Sequence, residues 1–96
     1  MAAYVIFLGN VLDETQYQKY KEVVEPNILA AGGRYLVRAG QTQLLEGALP
    51  ASRTVILEFP SMASALEWYH SDEYVAIKKL RGESARVTLY VVDGLG

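Results

Sequence analysis

The chain has 96 residues, 51% of them apolar, and a formal charge of −2. That balance excludes a disordered tail, and it excludes the clustered basic surface that nucleic acid or an anionic membrane requires. The absence of cysteine excludes a disulfide framework and thiolate chemistry.

Length points to a single domain spanning residues 1–96, near the lower limit for one self-sufficient core. A chain this short buries only about 60–65% of its unfolded surface as a monomer, which makes added burial by a partner attractive. Ala2 to Leu8 is apolar but has neither a positive flank nor a long apolar run, so a leader or spanning helix is not expected and the cytoplasm is the default.

Tyr4 to Leu8 is a β-branched and aromatic run that ends at Gly9 and Asn10, and it reads as a strand apolar on both faces. Asp13 and Gln16 have capping-box spacing and predict a helix start, with the glutamine amide reaching back. Tyr17, Tyr20, Val24, Ile28 and Ala31 form its buried stripe, Pro26 predicts a kink or restart, and Gly32 a stop.

Gly32, Gly33, Arg34, Tyr35, Leu36, Val37, Arg38, Ala39, Gly40 then read as helix stop, strand and strand break. Strict alternation puts Arg34, Leu36 and Arg38 on one face and Tyr35, Val37 and Ala39 on the other. Gln41 to Glu46 alternates again and is expected to continue the strand past a bulge at Gly40, with a loop over Gly47 to Ser52. Thr54 to Phe59 is the next strand, stopped by Pro60.

Ser61 is the expected cap of a short helix with Met62, Ala65, Leu66 and Tyr69 inward and Trp68 on its flank. Ser71, Asp72 and Glu73 start another, with Tyr74, Ile77 and Leu80 inward, and Gly82 ends it. Arg86 to Val92 is the last strand, and Asp93 to Gly96 a tail.

The order β-α-β-β-α-β, with its second helical connection split, is that of an α+β ferredoxin-like fold: a four-stranded antiparallel sheet with helices on one face and the first and third strands central. Two helices on one side cannot hide Tyr4, Ile6, Leu36, Ile56 and Leu89 as well. A second copy packed sheet to sheet would hide them, so a homodimer with a barrel-like core is expected.

The segments Gly32 to Arg38, Leu45 to Gly47 and Val55 to Pro60, together with Trp68, Tyr69, Ser71, Glu73 and Tyr74, resemble the domain-of-unknown-function family numbered 1330. Ala39 and Asp72 depart from its pattern. The resemblance spans nearly the whole chain and implies a dimeric α+β barrel. Cofactor-free antibiotic-biosynthesis monooxygenases, muconolactone isomerases and haem-dependent relatives share that superfamily, and the family itself has no established activity.

Two guanidinium groups on one face could clamp a carboxylate, but hairpin counting with Arg38 opposite Thr54 sets Arg34 opposite Glu58 and favours a cross-strand ion pair. His70 is the only histidine and sits at a helix junction without triad or metal-ligand company, so it and Glu58 are weak candidates for catalysis. Trp68, Tyr69 and Tyr74 form an aromatic cluster that reads first as core and second as the floor of an apolar cavity. No phosphate loop or RNA-recognition pattern is present, and no metal or cofactor is expected. The expectation is a binding protein that holds a small apolar or carboxylate ligand between sheet and helices through Arg34, Tyr35, Arg38, Glu58, Trp68 and Tyr69. The alternative is a cofactor-free monooxygenase- or isomerase-like enzyme.

Overall fold

Alternating side chains and cap residues sort the chain into β1 (Ala3–Val11), α1 (Glu14–Ala30), β2 (Arg34–Arg38), β3 (Arg53–Phe59), α2 (Met62–His70), α3 (Asp72–Arg81) and β4 (Ala85–Asp93). The computed structural model describes residues 1–95, so Gly96, the end of the expected tail, lies outside the described residues. The strands form one antiparallel sheet in the order β2-β3-β1-β4, with the first and third strands central as expected. Ala3, Val5 and Phe7 of β1 and Val55, Leu57 and Phe59 of β3 are buried beneath the helices with Tyr17, Tyr20, Val24 and Ile28 of α1. This is the ferredoxin-like α+β arrangement. No described helix is long and apolar enough to cross a membrane.

Asp13 caps α1 by accepting from the Gln16 N–H at 3.1 Å. The Gln16 amide does not reach back as expected; it donates to the Leu80 and Arg81 carbonyls and ties α1 to the end of α3. Pro26 lies inside α1 without ending it, because the helix runs on to Ala30. Gly32 follows at φ +92°, a conformation that costs glycine little. Gly33 is glycine for space: a Cβ there would sit 2.7 Å from Phe59 Cζ and 2.9 Å from Ile28 Cγ2.

Further sequence expectations are corrected. The bulge falls between Tyr35 and Val37 rather than at Gly40, so Leu36 is the extra residue and Arg38 pairs with Val55 instead of Thr54. Gln41 to Glu46 forms no strand; after Ala39, at φ +56°, the chain leaves the sheet until Arg53. In α2 the buried residues are Ala65 and Trp68, while Leu66 is exposed and Tyr69 only half-buried, so the inward face is turned from the one expected.

The register also settles which residues share each face. Leu89 sits opposite Phe7 and therefore under the helices, not on the open side. The open face carries Tyr4, Ile6 and Leu8 of β1, Ile56 and Glu58 of β3, Tyr90 and Val92 of β4, and Arg34 and Val37 of β2.

Candidate functional site

The bulge in β2 divides the two arginines between opposite faces of the sheet. Arg34 lies before it, across from Glu58, and its Nε donates to Glu58 Oε1 at 2.6 Å on the open face. This is the cross-strand ion pair that hairpin counting anticipated. The Arg34 guanidinium holds the Glu58 carboxyl below the usual carboxylate range, and Glu58 in turn raises the Tyr4 phenol.

Arg38 lies after the bulge, paired with Val55, and so turns toward the helices. Its Nη1 and Nη2 donate to the two carboxylate oxygens of Glu25 on α1 at 2.7 and 3.1 Å, a bidentate pair that depresses the Glu25 carboxyl. Its guanidinium stands 4.6 Å from the Tyr35 ring centroid. A clamp made from Arg34 and Arg38 together is therefore excluded by geometry. Each already has a carboxylate, and the sheet separates them.

A third arginine has no such partner. Arg53 opens β3 on the same face as Val55, Leu57 and Phe59, and its guanidinium stands 5.4 Å from the Tyr17 ring centroid. Its Nε is buried and finds no acceptor among the described residues. Arg81, at the end of α3, repeats the pattern over Tyr20, with a ring distance of 5.4 Å and a buried Nη1 without an acceptor. Between them the Tyr20 and Tyr74 hydroxyls share a hydrogen bond of 2.9 Å. One hydroxyl of that pair donates to the other, and the buried side-chain donors left without an acceptor among the described residues are Arg53 Nε and Arg81 Nη1. Burial raises the phenols of Tyr17, Tyr20 and Tyr35, which stay neutral donors at physiological pH.

A cavity of about 40 Å³ lies between α1 and the sheet, walled by Tyr17, Tyr20, Tyr35, Arg53 and Trp68 over an apolar floor that includes Phe7 and Leu57, with Arg81 and Tyr74 outside its lining. A water needs roughly 10–15 Å³ measured this way, so the space suits a few waters or a carboxylate. Lys21, Arg38 and Arg53 line both this cavity and an outer depression of about 340 Å³. With Glu22 and Glu25 also lining the depression, they form a throat of three cations and two carboxylates, in which Arg38 is paired with Glu25 while Arg53 has no carboxylate partner among the described residues.

Trp68 and Leu89 wall the cavity on one side and, on the other, a groove of about 230 Å³ between α2 and β4. Trp68 is fixed by donating its Nε1–H to Asn27 Oδ1 at 2.8 Å and by packing against Tyr74, the ring centroids 4.3 Å apart and the planes tilted by 43°. Tyr69 and His70 border the groove. The Tyr69 hydroxyl accepts from Lys78 Nζ at 3.1 Å, and His70 is exposed at the end of α2 with its ring edge-on to Tyr69. No group of acidic, histidine or cysteine side chains suited to a metal occurs among the described residues.

The residues singled out from sequence thus fall in three places. Tyr35, Arg38 and Trp68 line the inner cavity, Trp68, Tyr69 and His70 the groove, and Arg34 and Glu58 the opposite face. Sequence reasoning missed Tyr17, Tyr20, Lys21, Arg53 and Arg81 as site residues. Arg53 carried a usable signal, since it has the same parity as the buried Val55, Leu57 and Phe59.

The fold is shared with solved structures of low sequence identity. A protein of unknown function from Rhodopseudomonas palustris is 18% identical, with a TM-score of 0.77 over 99% of this chain and 83% of that one. A candidate antibiotic biosynthesis monooxygenase from Nitrosomonas europaea is 14% identical, with a TM-score of 0.59 over 100% of both chains. A Mycobacterium tuberculosis protein reaches the same TM-score at 18% identity, over 100% of this chain and 97% of that one. None of the curated proteins is similar to the chain. Residues 2–95 match the model of the domain of unknown function DUF1330, and with that match, over the fold just described, the chain belongs to the DUF1330 family.

Proposed function

We propose that the protein binds a short carboxylate, of about acetate size, in the cleft between α1 and the sheet, its anionic group on Arg53 and its alkyl end against the aromatic walls. The observation that carries this reading is the buried Arg53 Nε without an acceptor, at the wall of the cavity. An unpaired buried donor costs on the order of 1–3 kcal/mol, more for a charged group, and an anion would offset that cost. A second copy packed on the open face completes the proposal, supported by Tyr90 and Val92 lying exposed beside Ile6 and Ile56.

The enzymatic alternative draws on the fold shared with the candidate monooxygenase, and on the neutral phenols of Tyr17 and Tyr20, which could stabilise a developing oxyanion. Against it, neither His70 nor Glu58 lines the cavity, so the candidate bases stand apart from the oxyanion donors.

Trp68 forms part of the wall, so its fluorescence can report binding. Acetate is expected to perturb it saturably and neutral acetamide far less, with the Arg53→Met variant losing acetate affinity by roughly tenfold or more, as for a charge-assisted hydrogen bond. Equal responses to acetate and acetamide, or an unaltered Arg53→Met variant, would remove the carboxylate reading. Light scattering that shows a monomer at micromolar concentration would remove the second copy.

A further inference from the structure

The connection between β2 and β3 is the part of the molecule that the fold itself does not explain. It leaves the sheet at Ala39, whose N–H donates to the Thr54 carbonyl at 2.8 Å, and returns at Ser52, whose N–H donates to Asn10 Oδ1 at 2.9 Å. Both roots are therefore fixed. Between them, among the described residues, no hydrogen bond joins residues 40–51 to the rest of the protein, and residues 40–50 are all exposed.

Its composition does not suit that exposure. Leu44, Leu45 and Leu49 are 49%, 91% and 47% exposed, a concentration of leucine that a solvated loop does not need. Leu44 and Leu45 are adjacent, and residues 41–46 pair with no strand. A segment held at both roots and left with free backbone groups and bare leucines has the character of a surface awaiting another chain.

We infer that residues 40–52 form an arm that packs its leucines against a second copy of this chain. This rests on the sheet-to-sheet dimer proposed above. A second copy, rather than an unrelated protein, is favoured by continuity. The arm springs from β2 and β3, whose Val37 and Ile56 belong to the open apolar face, so a copy seated on that face lies next to the arm's roots. The same roots adjoin Arg38 and Arg53, which places the contact beside the throat.

The test is sedimentation velocity over a concentration series for the wild type, the triple variant Leu44→Ser, Leu45→Ser and Leu49→Ser, and an open-face variant, Ile56→Lys. Far-UV circular dichroism is expected to be unchanged in the triple variant, because none of the three leucines is buried in the single chain. The wild type is expected to be a dimer, and the triple variant to dissociate at roughly 100-fold higher concentration than the wild type, from the apolar surface removed. A wild-type dimer with an equally tight triple variant overturns the arm inference while leaving the sheet-face dimer standing. A wild type that stays monomeric at micromolar concentration overturns both. A triple variant that dimerises normally but binds acetate differently makes the arm a lid on its own cavity, and that also overturns the inference.

Discussion

The two faces of the sheet solve different problems with the same residue types. Under the helices, arginine and tyrosine occur inside an apolar layer, where Arg53 and Arg81 lie over tyrosine rings with donors left unengaged. On the open face, Arg34 and Glu58 neutralise each other beside Tyr4, amid aliphatic side chains that face solvent. Low surrounding dielectric makes an unmatched group costly on the first face, whereas water makes a matched one nearly inconsequential on the second. Chemistry is expected where the mismatch is buried, and association where the bare surface is apolar.

The largest effect should come from neighbouring residues of β3 that point opposite ways. Leu57 is 3% exposed beneath the helices, so Leu57→Ala should destabilise by about 2–5 kcal/mol in chemical denaturation through the cavity it leaves. Ile56→Lys should keep cooperative unfolding and the native circular dichroism while abolishing self-association. Comparable loss of fold from both substitutions would break the distinction between the faces.

Next in size are the polar groups of the buried layer. Tyr20→Phe removes one member of the hydroxyl pair and should cost about 1 kcal/mol. Arg53→Met removes an unmatched buried donor while keeping an unbranched stem over Tyr17, and should leave stability unchanged or raise it. Urea midpoints measured side by side decide the matter: a marked loss on Arg53→Met would mean that the guanidinium has a structural partner, and the cavity would lose its claim on an anion.

How much of this was legible in the chain itself turns on local backbone detail. Strand order and helix caps follow from patterns a few residues long, and the Arg34–Glu58 pair follows from counting across one hairpin end. Arg38 could not be placed that way. Nothing in Arg-Tyr-Leu-Val-Arg marks Leu36 as an extra residue, and a single bulge reverses the face of every residue beyond it. In α2 the choice between Tyr69 and Trp68 as the inward aromatic is a rotation of one residue, settled by Asn27 on α1 accepting from the indole. That is a tertiary contact with no local signature. Arg53 was within reach by parity alone.

The smallest expected effect compares the two ion pairs, one on each side of the bulge. Arg34 and Arg38 hold Glu58 and Glu25 below the ordinary carboxylate value, so the native state binds fewer protons than the unfolded chain in acid. Each pair's contribution is then fully present above the unfolded value of about 4.3 and is lost as pH falls through the depressed folded value. Thermal midpoints of Glu58→Gln and Glu25→Gln should lie slightly below wild type at neutral pH and converge on it as the pH drops below 4. Salt near 1 M, which shortens the screening length to about 3 Å, should shrink both differences. Glu25 is expected to matter more, because its bidentate contact joins α1 to β2, whereas the Glu58 contact lies within strands already paired through their backbones. Variants whose acid limbs run parallel to wild type would show that neither pair persists in solution, and an effect of Glu58 larger than that of Glu25 would reverse the ranking of the two faces.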